Sequence, residues 1–364
     1  MIPRHIYAET LTSLLAPIQP FLDDPTVSEV LINGPSCIFV ERHGRLEATG
    51  ARFGSAEAVT AALRNVAQYA GTFIDDKRPI LEARLPDGSR LEAVLSPIAQ
   101  DGPAVSIRRF AKVTMTLPRL VELGALGGDA ADALRAMVVA KCNLVVAGGT
   151  GSGKTSLLNV LAACAVEGER VLVLEDTREL TIARKHVVYL EARKPDEHGA
   201  GAITIRDLFR ASLRMRPDRI IVGEIRGAEA LDMVQAMVSG HGGCLGTLHA
   251  SYPRDTLTRL ETMCMMSDVQ MPLAAIRMQI GSGIDAIVQV GRMPDGSRKI
   301  THITEVTGCD PETGRYTLRD LFVRTAGTLA PTGLLPTFHE RLREHGVDLP
   351  ASVLRAAARR VEGA

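Results

Sequence analysis

The sequence contains no tryptophan, and aromatic residues make up only 4% of its 364 positions. A surface that stacks single-stranded bases on aromatic rings is therefore not expected. Neither sign of charge is in excess: Lys plus Arg and Asp plus Glu number 42 each. A chain devoted to phosphate backbones usually carries a basic surplus, so nucleic acid is not an expected partner. The six cysteines, Cys37, Cys142, Cys164, Cys244, Cys264 and Cys309, form no C-x-x-C pair, which leaves out the common zinc spacings. Scattered among apolar neighbours, they read as reduced core thiols of a cytoplasmic protein. No apolar run reaches the about 20 residues of a membrane-spanning helix. The first ten residues, MIPRHIYAET, lack the apolar stretch of a signal peptide. Any membrane association is expected to be peripheral and to run through partners.

What is present is an aliphatic-rich chain, 46% apolar and 23% charged, long enough for two or three domains. The first hundred residues alternate strand-like runs with turns at Asp24-Pro25, Asn33-Gly34-Pro35 and Pro86-Asp87-Gly88. Val59, Leu63, Val66 and Ala70 fall on one helical stripe. From about residue 131 strands and helices alternate, the pattern of a parallel sheet. The expected strands there are 143–147, 171–175, 219–223 and 244–248, with later ones at 285–290 and 300–306. The expected helices are 154–166, 204–214, 228–239, 254–266 and 350–361. The organisation expected is an N-terminal α+β domain (1–111), a linker (112–130) and an α/β nucleotide-binding domain with a parallel-rich sheet and a C-terminal extension (131–364).

Four segments carry chemistry. Gly148-Gly149-Thr150-Gly151-Ser152-Gly153-Lys154-Thr155, followed by Ser156, sits between an apolar strand and a helix. Glycines there let backbone N–H groups and a helix N-terminus converge on phosphate oxygens. Lys154 is placed to reach the β- and γ-phosphates of ATP, and Thr155 to offer its hydroxyl to Mg²⁺. A second apolar strand ends in Glu175-Asp176. Glu175 is a candidate to orient water or hold the metal, and Asp176 a candidate loop cap. A third, Arg219-Ile-Ile-Val-Gly223-Glu224-Ile-Arg226, delivers Glu224 to the same edge, to bind Mg²⁺ through water or polarise the nucleophile. The blander reading of Glu224 is an ion pair with Arg226. The fourth, Gly240-His241 through Thr247-Leu248-His249, brings two histidines. Either alone would be structural. In this company His249 reads as a γ-phosphate contact, and His241, less firmly, as a nucleotide-binding residue.

These four segments in this order resemble the secretion ATPase superfamily of type II and type IV systems. Its Walker A, Asp box, Gly-Glu Walker B and His box correspond to GGTGSGKT, LEDTREL, IIVGEIRG and SGHGGCLGTLHA. The blocks LDDPTVSEVLINGP, VERHGRL, LPDGSRLEAVLSP and SLRMRPDRIIVGEIRGAEALDMVQAM are most similar to the CpaF/TadA branch, which powers tight-adherence pili. The resemblance implies a RecA-like second domain and a ring-shaped homohexamer, with ATP bound between the two domains. It also implies a bacterial protein working at the cytoplasmic side of the inner membrane on a platform protein. It places catalytic arginines in the first domain at positions matching Arg108 and Arg90, ahead of Arg84 and Arg109. The chain departs in having Val238-Ser239 before Gly240-His241 and only about 22 residues before its Asp-Asp-Pro turn. The tetracysteine insert of type II secretion ATPases is absent. Competing readings are a conjugation-type type IV secretion ATPase, a RecA-like DNA translocase and a small-molecule P-loop kinase.

Overall fold

A computed structural model describes residues 10–362 except His43, 110–114, 196–198 and Ala326. The expected strand end at Phe110 and the expected linker's first residues, 112–114, lie outside the described residues. The chain divides into two compact units, Met1–Thr114 and Met115–Ala364.

The first unit is built on six strands: β1 (Val27–Asn33), β2 (Ile38–Arg42), β3 (Arg45–Ala48), β4 (Ile80–Arg84), β5 (Arg90–Val94) and β6 (Ala104–Arg108). They form one sheet in the order β3-β2-β1-β6-β5-β4, every pairing antiparallel. Strand alternation buries Val30, Ile32, Leu91, Ala93, Val105 and Ile107 on one face. Val59, Leu63 and Val66 of the helix Ala56–Ala70 pack into the same core. That helix starts where the Ser55 side chain accepts from the Ala58 N–H and stops at Gly71, whose φ of 79° suits glycine.

The second unit carries nine strands: β7 (Leu144–Gly148), β8 (Val171–Glu175), β9 (Val187–Glu191), β10 (Arg219–Val222), β11 (Leu245–Leu248), β12 (Ala286–Arg292), β13 (Arg298–Cys309), β14 (Tyr316–Thr325) and β15 (Thr328–Pro331). Their order is β15-β14-β13-β12-β7-β11-β10-β8-β9. From β12 to β9 the pairings are parallel; β13, β14 and β15 extend the sheet antiparallel. The central strands β7, β8, β10 and β11 are buried at every residue, as a parallel sheet covered on both faces requires. One face packs on Gly128–Val139 and Lys154–Ala162, the other on Glu229–Val238, Pro253–Met265 and Leu273–Gly283.

Buried Asn143 ties three strand starts together. Its N–H and Nδ2 donate to Asp285 Oδ2 and the Gly283 carbonyl (each 2.7 Å), and its Oδ1 accepts from the Cys244 N–H (3.0 Å). Three of the six cysteines, Cys142, Cys244 and Cys264, are buried, and burial pushes their thiols up to about 12. Cys37 instead is exposed on the first unit, contrary to the core reading. Among the described residues no helix is long and apolar enough to cross a membrane.

Candidate nucleotide site

Strand β7 runs into the loop Gly149–Gly153, and Lys154 opens the next helix. The glycines there are required by space and by dihedral angle. A Cβ on Gly148 would lie 2.4 Å from the Val290 carbonyl oxygen and 2.5 Å from Ser152 Oγ. Gly151 and Gly153 have φ of 68° and 93°, values that L side chains rarely adopt. The loop folds around one acceptor. The Gly149 carbonyl receives Ser152 Oγ at 2.8 Å, Lys154 Nζ at 2.9 Å and the Ser152 N–H at 3.4 Å. These contacts close the loop on its own backbone at the N-terminus of a helix, where the dipole favours an anion. Gly149, Thr150 and Ser156 are exposed, and Thr155 is half-buried on the first helical turn. This cradle fits the phosphates of a nucleotide, with Thr155 beside them for a magnesium ion.

Three adjacent strands, β7, β11 and β10, end beside this loop. Lys154 Nζ lies 3.4 Å from His249 Nδ1, and His249 Nε2 lies 3.0 Å from Glu224 Oε1. Arg226 donates to Glu224 Oε2 at 2.5 Å. Burial, then the positive charge of Lys154, holds His249 below the ordinary histidine range. The ring is therefore neutral at pH 7, and its neighbours assign the tautomer. Nε2–H donates to Glu224, and Nδ1 accepts from Lys154. Burial would raise the Glu224 carboxyl, but the Arg226 hydrogen bond and the charges of Arg226 and Lys154 outweigh it and keep the group below its usual value. The ion pair with Arg226 and the place beside Lys154 thus coexist.

Glu175 takes a place expected of Asp176. Glu175 is buried at the end of β8, and its Oε1 accepts from the N–H groups of Glu179 (2.9 Å) and Leu180 (3.1 Å). It therefore does the capping expected of Asp176. Asp176 is exposed, with Arg226 at 3.8 Å. The Glu175 side chain also explains the glycine before Glu224: a Cβ on Gly223 would lie 2.6 Å from Glu175 Cγ. His241 precedes β11 and lines a cavity of about 110 Å³ with Lys141, Asp218 and Arg219 at the starts of the strands. The phosphate loop follows the strand ends. A four-residue strand separates these edges by roughly 13 Å at about 3.3 Å per residue. Within this chain His241 therefore does not join Lys154, Glu224 and His249, because its strand carries it to the opposite edge.

The arginines of the first unit lie in register. On the polar face of its sheet Arg84 stands opposite Arg90, and Arg90 opposite Arg108. Glu29 of β1 closes the row beside Arg108. Glu82 and Glu92, paired one rung along across β4 and β5, bring acidic side chains to that face beside the arginines. Arg109 differs. Its guanidinium donates to the carbonyls of Asp24 and Val27 and serves the fold.

Sequence reasoning passed over a further pair at the loop, Arg292 and Arg298. Arg298 Nε donates to the Gly151 carbonyl at 3.0 Å. The only signal in the sequence is two like charges bracketing the turn Met293-Pro-Asp-Gly-Ser297.

The chain matches the type II/IV secretion system protein family over residues 12–326. It belongs to that family. Among the relatives of this secretion-family chain is the conjugal transfer protein TrbB of Rhizobium radiobacter, 34% identical over 293 residues, covering 79% of this chain and 86% of TrbB. The type IV secretion system protein VirB11 of Brucella suis is 33% identical over 331 residues, covering 83% and 90%. The crystal structure of the Legionella pneumophila ATPase DotB matches with a TM-score of 0.55 at 19% identity, covering 82% of this chain and 80% of that one. That likeness establishes the α/β, RecA-like fold of the secretion-family chain.

Proposed function

We propose that the chain is an ATP-hydrolysing motor of a conjugation-type type IV secretion machine. The observation that carries the chemistry is the contact series Lys154–His249–Glu224 beside a glycine loop that opens a helix. The names of relatives that align over most of their length, TrbB and VirB11, support the machine. Bound ATP with Mg²⁺ supplies the anhydride bond and the charge screening for its hydrolysis. The N–H groups of Gly149 to Ser156 hold the phosphates, Lys154 offsets their charge, and Thr155 and, through water, Glu224 hold the metal.

Glu224 also orients the attacking water. Its carboxylate is ionised and stands on the loop side, whereas that of Glu175 is taken up by backbone N–H groups. His249 relays the position of Lys154 to Glu224. Arg108, with Arg90 beside it, supplies guanidinium charge to the transferring phosphoryl group. The resemblance that places catalytic arginines at these two positions supports that role, as does the planar, always-charged guanidinium. The working form is a homohexamer bound peripherally to inner-membrane platform proteins on the cytoplasmic side, with no nucleic acid held by this chain. Its two working parts are a domain ending near residue 111 and one beginning near 131.

The test pairs Lys154→Ala with a transfer assay in the source organism. ATPase activity and substrate transfer should both be lost while the purified variant keeps its melting temperature. Retained ATP hydrolysis would end the motor reading. A second cargo, the tight-adherence pilus, is favoured by the sequence blocks resembling CpaF/TadA. Loss of pili with unchanged transfer in the same strain would select it.

A further inference from the structure

We propose that Arg298 is a positioning residue of the phosphate loop, one that sets nucleotide affinity and leaves the chemical step largely alone. The inference rests on the nucleotide reading above and adds a residue from outside its four sequence segments. Strand β12 lies beside β7 in parallel register, Val290 against Gly148. The hairpin it makes with β13 therefore turns back next to the loop. The hairpin is held closed. Met293 N–H donates to the Ser297 carbonyl (2.8 Å), Gly296 N–H to the Met293 carbonyl (2.9 Å), and the Ser297 N–H and Oγ both reach Asp295 Oδ1. Arg298 follows at once and pairs with Arg292 across the ladder, so both side chains leave the same face.

That face is turned toward the loop. Arg298 Nε donates to the Gly151 carbonyl (3.0 Å), and its stem covers Gly153, where a Cβ would lie 3.2 Å from Arg298 Cδ. Arg292 reaches the same place, its Nη1 3.8 Å from where a Gly151 Cβ would stand. In a trans peptide the carbonyl and the following N–H point in opposite directions. Fixing the Gly151 carbonyl on the guanidinium therefore aims the Ser152 N–H the other way. There it meets the Gly149 carbonyl at 3.4 Å, the same oxygen that collects Ser152 Oγ and Lys154 Nζ. Arg298 thus holds a flexible glycine loop, with positive φ at Gly151 and Gly153, in one closed form. A pre-formed loop loses less conformational freedom when a phosphate arrives.

The ligand class is a nucleoside di- or triphosphate. Because the bond is made to loop backbone away from the Glu224 side, ADP and ATP should be affected alike. The experiment compares wild type, Arg298→Met and Arg298→Lys as full-length chains with Mg²⁺. Arg298→Met keeps the apolar stem over Gly153 and removes the donor. Affinity for ADP and ATP is measured by calorimetry, and kcat and KM by phosphate release. Arg298→Met should weaken both nucleotides about tenfold, the scale of one lost hydrogen bond to a charged group. Its kcat at saturation should stay within about threefold. Arg298→Lys should not restore affinity, because its ammonium cannot cover Gly153 and donate from mid-stem. Unchanged affinity in Arg298→Met overturns the proposal, as does a fall in kcat at unchanged affinity. Absence of nucleotide binding by the wild-type chain would instead refute the underlying nucleotide reading.

Discussion

Replacing Glu224 by glutamine isolates one charge in the candidate site. The carboxylate accepts from Arg226 at 2.5 Å and from His249 Nε2 at 3.0 Å. A glutamine amide can keep only one of these bonds through its oxygen, and its NH₂ then faces a donor. A hydrogen bond to a charged group is worth about 1.5–3 kcal/mol. Because Glu224 is part-exposed, the loss of fold stability should lie at or below the lower end of that range. Hydrolysis should suffer more, since loss of a positioned general base typically costs about 10²–10⁴-fold. A hundredfold fall in kcat corresponds to about 2.7 kcal/mol of transition-state stabilisation at about 1.36 kcal/mol per tenfold. ATP affinity should change by no more than a few-fold, because Lys154 and the loop N–H groups remain. The assay is steady-state phosphate release at saturating Mg-ATP, with nucleotide affinity and a thermal melt on the same preparation. Turnover within threefold of wild type would refute the argument and return Glu224 to the role of an ion-pair partner. Loss of turnover in Glu175→Gln with an unchanged melting temperature would place the base on β8 instead.

Three further outcomes follow from other parts of the structure. Because His249 is held below the ordinary histidine range, its folded form takes up a proton later than its unfolded form as pH falls. Stability should decline on going below about pH 6.5, and turnover only at the lower pH where the folded imidazole takes up its proton; pH profiles of His249→Gln should lack both parts of the decline. Arg108→Ala should lower kcat strongly with little change in ATP affinity, and Arg108→Lys should recover poorly; equal turnover of wild type and Arg108→Ala would assign the row of arginines another purpose. A Cβ on Gly281 would lie 2.9 Å from the backbone of Gly308 and Cys309, so Gly281→Ala should destabilise the second unit by about 1–3 kcal/mol in denaturant titration; an unchanged midpoint would show that the helix and β13 can move apart.

Strand–helix alternation after residue 131 was legible because each central strand is a short apolar run covered on both faces. The helix Leu273–Gly283 was not. Its core contacts are Ile276, Ile280, Gly281 and Gly283, and two of those are glycines that read as helix breakers. Gly281 is there because the helix meets β13 at backbone distance, and Gly283 because Met237 and Val238 of the helix Glu229–Val238 come close. In the site, Lys154, Glu224 and His249 could be found because strand ends share an edge. His241 could not be separated from His249 by pattern alone. Eight residues of the same segment span a strand from one edge to the other. The roles of Glu175 and Asp176 depend on which carboxylate turns toward the loop N–H groups, and adjacent residues at a strand end give no periodic signal for that. Arg298 was invisible for a different reason: its contact with Gly151 joins positions far apart in sequence through the pairing of β12 with β7.

The Asn143 clamp has a consequence for how the second unit opens. It joins the first residues of β7 to the approaches of β11 and β12, at the edge away from the phosphate loop, and Arg341 reinforces it through Asp285 at 2.6 Å. Amide protons there, at Leu144, Cys244 and Ala286, can exchange with solvent only when the whole sheet comes apart. Those of Gly149 to Gly153 exchange through openings confined to the loop. Deuterium uptake should therefore run as a gradient along each strand, slow at its start and fast beyond its end. A bound nucleotide should flatten that gradient from the fast side alone.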